Sequence, residues 1–348
     1  MIMAGGTGGH IYPGLAVADV LKNEGWKVIW LGAPNSMEAE LVSRHGYDIA
    51  LVRFGGLRGK GLLRKLMLPF NLLIAIWQSA VAMFRHRPDV VLGMGGYITF
   101  PGGVVAVLLG KPLVIHEQNS IAGLSNRVLA KIASRVMCGF PNAIQGGTWC
   151  GNPVRAAISA LPDPQERYDA RNGVMNVLVV GGSLGAQALN EMLPQALFCL
   201  PQENEPQVVH QTGKKQYEDV KELYESAGIP AEIRPFLDDM AHYYAWADLV
   251  ICRAGALTIA ELAAAGVASI LIPYPYAVDD HQTANAKFLS EAGAAVLLPQ
   301  EALAPRRLAD IIEGISREKA LQMAFCARKL AQPDAAIKVA GVCKELAK

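Results

Sequence analysis

The sequence predicts an α/β protein of two Rossmann-like domains, each a parallel sheet covered by helices, facing each other across a cleft. Three observations carry this. Short β-rich runs alternate with longer helical patterns through most of the chain, as in parallel sheets with helical crossovers. The succession of strand, glycine loop and helix at residues 2–20 returns at 176–198. The 348 residues also suggest two cores, at ~150 residues per domain.

In chain order, Met1-Ile2-Met3-Ala4 reads as the first strand. Strands usually run ~5–6 residues, so further residues are expected upstream of Met1. Gly5-Gly6-Thr7-Gly8-Gly9-His10 follows, then an amphipathic helix marked by Leu15, Val17, Ala18, Val20 and Leu21. Lys27 to Leu31 is the second strand. Residues 57–77 join Arg58, Lys60, Arg64 and Lys65 to an apolar run ending at Trp77. Asp89 to Leu92 leads into Gly93-Met94-Gly95-Gly96-Tyr97, and Pro112 to Ile115 into His116-Glu117-Gln118-Asn119. Prolines and charge in Ala160-Leu161-Pro162-Asp163-Pro164-Gln165-Glu166 break the alternation as a linker would. The boundary is placed near residue 160, giving domains over 1–160 and 161–334.

In the second domain Asn176 to Val180 runs into Gly181-Gly182-Ser183-Leu184-Gly185-Ala186, and a further strand ends at His210-Gln211-Thr212-Gly213. The strand from Asp248 ends at Cys252, small residues turn the chain, and a helix runs to the stop signal at Gly266. Ala268 to Ile272 is the next strand.

Composition excludes several classes. Lys plus Arg number 32 against 31 Asp plus Glu, a net charge of +1, so no global field holds nucleic acid. With 52% hydrophobic and 18% charged residues the chain folds compactly. The six cysteines show no CxxC and no flanking His at ligand spacing, as for free thiols in a reducing cytoplasm. No cleavable signal peptide is expected, because the apolar start runs at once into the first glycine loop. Leu66 to Trp77 falls short of the ~20 residues that span a bilayer, so a soluble or peripheral protein is expected.

Glycine loops between strand and helix let backbone N–H groups and the helix dipole approach an anion. Three of them in one chain favour a phosphate-containing ligand, bound beyond the carboxyl ends of the strands. A dinucleotide dehydrogenase is excluded: from Gly6 the required spacing reaches Gly8 and then Ile11, and the second strand ends Leu31-Gly32-Ala33 without a carboxylate. No Gly-Lys-Ser/Thr closes any loop, which excludes a P-loop. At the start of the helix after Cys252, the N–H groups of Ala256, Leu257 and Thr258 suit a diphosphate, and Glu261 suits ribose hydroxyls.

Taken together, Ala4 to His10, Gly93 to Tyr97, His116 to Asn119, Gly151-Asn152-Pro153-Val154-Arg155, Gly181-Gly182-Ser183 and Arg253 to Gly266, in this order along nearly the whole chain, closely resemble the MurG family of glycosyltransferases. The resemblance implies a GT-B fold and a helix over 335–348 that returns to the first domain. It also implies inverting transfer of N-acetylglucosamine from UDP-N-acetylglucosamine to the 4-hydroxyl of the muramyl moiety of lipid I, giving lipid II for peptidoglycan and the cell wall. By motif, Arg155 and Ser183 would contact UDP, the Leu237 backbone would read uracil, and Ala256, Leu257, Thr258, Ile259 and Ala260 would line the diphosphate site. Glu261 would hold the ribose, and Gln282 with Asn285 the sugar. Thr7, Gly8, Gly9 and Asn119 would approach the sugar from the acceptor side, and Gly95, Gly96 and Tyr97 the acceptor diphosphate. The family has Gln-Gln where this chain has His281-Gln282.

Glycosyl transfer needs a base for the acceptor hydroxyl and stabilisation of the departing UDP. His10, at a helix start beside the first glycine loop, is the expected base. His116 is the second candidate, set in a polar network with Glu117 and Asn119. Asp279-Asp280-His281 forms no closed coordination set, so no protein metal site is expected. Arg155 and the helix N-terminus would neutralise UDP without a metal, and magnesium would at most accompany the acceptor diphosphate. The basic, apolar segment 57–77 suits an anionic membrane surface as well as an ordinary core helix, and the polyprenyl-linked acceptor that the resemblance implies favours the membrane reading. The resemblance further implies a place at the cytoplasmic face of the bacterial inner membrane, with lipid I and cell-wall assembly proteins as partners. A UDP-N-acetylglucosamine 2-epimerase and a non-enzymatic cell-wall scaffold are the competing readings.

Overall fold

The computed structural model describes residues 1–54, 67–182 and 185–347. They divide into two compact units, Met1–Arg155 with Gln332–Lys348, and Ala156–Ala331.

The first unit holds strands β1 (Ile2–Met3), β2 (Ile29–Gly32), β3 (Asp48–Leu51), β4 (Val91–Gly93), β5 (Leu113–Glu117), β6 (Arg135–Cys138) and β7 (Thr148–Trp149). All pairings are parallel, in the order β3-β2-β1-β4-β5-β6-β7. This is the doubly wound order, reversing between β1 and β4, where loops after the strand ends form a natural binding crevice. Apolar side chains cover both faces. On one, Ile11, Leu15 and Ala18 of the helix Gly8–Asn23 pack with Val339, Ala340 and Cys343 of the helix Ala335–Leu346. On the other, Ala75, Ala82 and Met83 of the helix Leu68–His86 pack with Val105 and Ala106 of the helix Thr99–Leu108.

The second unit repeats the scheme with β8 (Asn176–Val180), β9 (Gln207–Gln211), β10 (Ala231–Arg234), β11 (Leu249–Cys252), β12 (Ala268–Leu271) and β13 (Ala295–Leu297). The order is β10-β9-β8-β11-β12-β13, again all parallel. Cys252 pairs with both Val180 and Leu271, which aligns three strand ends around the reversal between β8 and β11. The opposite ends are pinned by charge. Asp248, fully buried, accepts from Arg171 at 2.5 Å, from Arg317 at 3.1 Å and from the Asn176 backbone at 2.8 Å. A buried carboxylate needs that many donors to be tolerated.

Three expectations need correction. The segment read as a linker carries the helices Ala156–Ser159 and Pro164–Asp169, and the division between units falls after Arg155. Asp163 caps the second helix by accepting from Gln165 N at 2.9 Å, and Pro164 opens it. The prolines and charge are helix-start chemistry, not a flexible tether. The apolar run continues well beyond Trp77, because the helix spans Leu68–His86, 19 residues, long and apolar enough by length and composition to cross a membrane. The first strand is shorter than read, with only Ile2 and Met3 paired. All six cysteines are free.

Candidate functional site

In the first unit the loop after β1 turns at Gly6 (φ +93°), and Thr7 precedes the helix Gly8–Asn23. No side chain caps that helix, and its first turn carries no acid, which leaves positive potential at its start. Glu38, wholly buried, ties the loop in place. Its carboxylate accepts from the backbone N of Gly6 at 3.2 Å, from Ala33 N at 3.2 Å and from the Tyr97 hydroxyl at 3.1 Å. Burial, with the Glu38 charge, pushes the Tyr97 phenol up to about 12, so Tyr97 remains a donor. Sequence reasoning passed over Glu38. Ser36, which caps the helix Met37–Arg44 through Ala39 N at 3.2 Å, marks it as a first-turn acid, but nothing in the sequence turns it inward.

The glycine loop after β4 interlocks with the first. Gly95 and Gly96 have φ of +94° and +84°. A Cβ on Gly95 would stand 2.9 Å from His10 Nδ1. His10, partly exposed, pairs through Nδ1 with Gln118 Oε1 at 2.9 Å. Gln118 Nε2 lies 3.0 Å from His116 Nδ1, and His116 Nε2 lies 3.0 Å from the Gly151 carbonyl. His116 is therefore bonded through both ring nitrogens, and burial pushes it down to about 4. Such a ring is neutral at pH 7 and closed to a substrate, which leaves His10 as the accessible imidazole of the pair.

Glu117 is also buried. It accepts from Asn119 N at 2.9 Å, Asn119 Nδ2 at 3.3 Å, Gly123 N at 3.1 Å and Asn126 Nδ2 at 2.9 Å. Asn119 is thus oriented by the strand end that precedes it. Arg155 closes the main segment of the first unit, its guanidinium 5.7 Å from the Tyr12 ring centre.

In the second unit Gly255 precedes the helix Ala256–Ala265, which has no side-chain cap and no acid in its first turn. Its other end is neutralised by arginines. Arg167 donates to Ala265 O at 2.5 Å, to Gly266 O at 2.6 Å and to Tyr244 O at 3.1 Å, and Arg328 donates to Ala264 O. Cations there complement the dipole, and the start at Ala256, Leu257 and Thr258 is the positive end of the helix. Ala260 is partly exposed, whereas the Ile259 side chain is fully interior and its backbone N–H already donates to Gly255 O at 3.0 Å. Glu261, 5% exposed, accepts from the Tyr244 hydroxyl at 3.2 Å, which fixes one carboxylate oxygen.

The remaining expected contacts have partners of their own. Leu237 N donates to Gln211 Oε1 at 3.2 Å, Asn285 Nδ2 to Ala254 O at 3.2 Å, and Tyr274 N to Gln282 Oε1 at 2.9 Å. Asn285 is buried beneath the turn that launches the helix. Ser183 lies outside the described residues, as do residues 57–66. Asp279 and Asp280 are exposed, and Asp280 accepts from the Thr283 hydroxyl at 2.7 Å. In the strand Gln207–Gln211, His210 is buried and pairs with the Tyr224 hydroxyl and Asn190 Oδ1, each at 3.0 Å. Asn190 in turn donates to Thr212 O at 3.0 Å and Gln216 Oε1 at 2.7 Å. Burial pushes His210 down to about 3.

The helix Leu68–His86 has two unlike sides. Ala75, Ser79, Ala82 and Met83 are buried, whereas Phe70, Leu73, Ile74, Trp77, Val81 and Phe84 are exposed. The exposed side is thus a row of large apolar side chains at helical spacing.

Comparison with known proteins gives the family and the fold. The glycosyltransferase family 28 N-terminal domain matches residues 1–138 and its C-terminal domain matches residues 176–339. The chain is similar to a UDP-N-acetylglucosamine–N-acetylmuramyl-(pentapeptide) pyrophosphoryl-undecaprenol N-acetylglucosamine transferase from Dechloromonas aromatica, 59% identical over 348 residues and covering 100% of this chain and 99% of that one. A transferase of the same name from Ralstonia nicotianae is 58% identical over 346 residues, covering 99% and 95%. Among solved structures, Acinetobacter baumannii MurG aligns with a TM-score of 0.85 and 42% identity over 99% of both chains. A kitacinnamycin glycosyltransferase at 18% identity and TM-score 0.74, covering 99% of this chain and 98% of that one, shares the fold.

Proposed function

Since this chain belongs to the MurG family within glycosyltransferase family 28, we propose that it transfers N-acetylglucosamine from UDP-N-acetylglucosamine to the 4-hydroxyl of the muramyl residue of lipid I, forming lipid II. The observation that carries this is the pairing of chemistries. The second unit has a helix start without acid or side-chain cap beside the held carboxylate of Glu261, suited to a nucleoside diphosphate. The first has an accessible histidine in the first turn of the helix that follows a glycine loop.

In the proposed reaction the hydroxyl proton passes to His10 as the oxygen attacks the anomeric carbon. The carbon–oxygen bond to the diphosphate breaks, and UDP leaves with the electron pair. Attack opposite the leaving group inverts the anomeric centre. The helix start at Ala256-Leu257-Thr258 stabilises the charge on the departing diphosphate, donors aimed at developing charge being a large source of rate. No protein-bound metal is assigned to this step, and magnesium is assigned at most to the acceptor diphosphate.

The exposed face of the helix Leu68–His86 is assigned to the lipid surface carrying the acceptor, with the protein peripheral on the cytoplasmic side of the inner membrane. Its buried side, packed on the first unit's core, supports lying on the bilayer rather than crossing it.

The test is incubation with radiolabelled UDP-N-acetylglucosamine, with and without a lipid I analogue. Label should enter lipid only when the acceptor is present. Turnover of the nucleotide sugar alone to an epimer would overturn the reading. In the same assay His10→Ala should lower kcat about a hundredfold to ten-thousandfold, the usual contribution of a positioned base. A folded variant with near-normal kcat would remove His10 from that role.

A further inference from the structure

We propose that Gln118 and His116 are positioning residues that hold the His10 ring as its Nδ1–H tautomer, leaving the Nε2 lone pair as the proton acceptor. The inference deepens the reading of His10 as base and rests on it for its catalytic consequence.

The tautomer follows from a group that cannot donate. The Gly151 carbonyl only accepts, so the His116 Nε2 that lies 3.0 Å from it carries a proton. His116 is fully buried and held neutral by that burial, so its other nitrogen, Nδ1, is bare and needs a donor. Gln118 Nε2, 3.0 Å away, supplies it. The same nitrogen lies 3.2 Å from the His116 carbonyl, a second acceptor, which fixes the direction of the amide. Gln118 Oε1 must then face His10 and accept from Nδ1 at 2.9 Å. A neutral His10 ring with its proton on Nδ1 has none on Nε2. When the ring takes a proton from a hydroxyl it becomes imidazolium and keeps its Nδ1–H bond to Gln118, so no group in the relay has to turn.

The relay is built tightly. Gln118 is 1% exposed, and its carbonyl accepts from buried Asn152 Nδ2 at 3.0 Å. A Cβ on Gly95 would stand 2.9 Å from His10 Nδ1 and 3.2 Å from Gln118 Oε1, so the glycine lets the two groups meet. Gly151 has φ +85°, and a Cβ there would stand 2.2 Å from the Cβ of Gln332, which holds the first acceptor of the chain in place.

Ring ¹⁵N shifts of the histidine-labelled full-length protein test this, with His10 assigned by loss of its signals in His10→Gln. At pH 8 wild-type His10 should be the Nδ1–H tautomer, and observation of Nε2–H would overturn the proposal without any variant. Gln118→Leu should release the ring to a mixture and lower kcat by up to about a hundredfold, as small misplacements of a reacting group do. His116→Asn keeps an oxygen able to accept from Gln118 Nε2 and should retain the Nδ1–H tautomer and most of kcat, whereas His116→Leu should lose both. Equal behaviour of the Asn and Leu variants would overturn the relay. A released tautomer with unchanged kcat, in a protein whose His10→Ala variant is inactive, would overturn the positioning role. If His10→Ala is itself active, the base assignment fails while the tautomer measurement still decides the relay.

Discussion

The carbonyl oxygen of Gly5 occupies the space in which a side chain on Gly96 would begin: a Cβ at position 96 would stand 2.1 Å from it. Two glycine loops, from opposite sides of the sheet's reversal point, therefore meet backbone to backbone. A backbone oxygen cannot swing aside as a side chain can, and Gly96 sits at φ +84°, where any other residue is strained.

Gly96→Ala should accordingly destabilise the first unit by roughly 2–5 kcal/mol, combining left-handed strain with overpacking. Gly110→Ala separates the two contributions, because Gly110 also has positive φ (+66°) but has nothing within 4 Å of its Cβ position. Urea denaturation of both should show a clearly larger loss for Gly96→Ala. Equal losses would mean that the loops do not depend on this contact.

Glu261→Ala should weaken UDP binding about tenfold to a hundredfold, the loss expected for a charge-assisted hydrogen bond. Tyr244→Phe removes only the hydroxyl that holds one Glu261 oxygen, so its effect should be smaller and in the same direction. Calorimetry with UDP measures both. Unchanged affinity in a folded Glu261→Ala protein would take Glu261 out of the nucleotide site.

On the helix Leu68–His86 the face proposed to meet lipid and the face packed on the core are distinct residue by residue. Leu73, Trp77 and Phe84 are exposed, whereas Ile76 is packed against the core beside Ala75. Serine at the three exposed positions should weaken sedimentation with anionic vesicles and leave the thermal melt nearly unchanged, since surface changes of this kind cost little stability. Ile76→Ser should lower the melt instead. A triple variant that binds vesicles as the wild type does would move the membrane contact elsewhere.

Much of this was legible in the sequence, and the exceptions have physical causes. The central strands β1, β2, β4, β5, β8, β11 and β12 announce themselves as apolar runs because both sheet faces are covered. The edge strands β3 and β10 consist of exposed and partly exposed residues, Asp48–Leu51 and Ala231–Arg234, and resemble loops in composition. The glycine loops show in the sequence because close backbone approach permits few other residues. Glu38, Gln118, Gln211 and His210 do not, because each acts through a partner distant in the chain, such as His10 for Gln118. A polar residue in one sequence carries no mark of the direction it faces. Pro164 and Asp163 misled for the opposite reason: helix caps and linkers use the same residues.

The two buried histidines make the protein acid-sensitive in a defined window. His116 is held down to about 4 and His210 to about 3, both by burial, against about 6.5 for an unperturbed imidazole. Below pH 6.5 the unfolded chain takes up protons at these positions while the native protein does not. The unfolded state then binds more protons, so stability falls as pH falls, from about 6.5 down to each native value, and is fully present above that window. Each ring contributes a slope of up to about 1.4 kcal/mol per pH unit. Between pH 6.5 and 5 ordinary carboxylates have scarcely begun to titrate, which makes that interval the one to measure. His210→Gln keeps a polar side chain between Tyr224 and Asn190 but cannot take up a proton in this range. Urea denaturation at pH 7, 6 and 5 should show it less stable than the wild type at pH 7 yet with a shallower loss on acidification. Parallel slopes for the two proteins would mean that His210 is not held neutral in the native state.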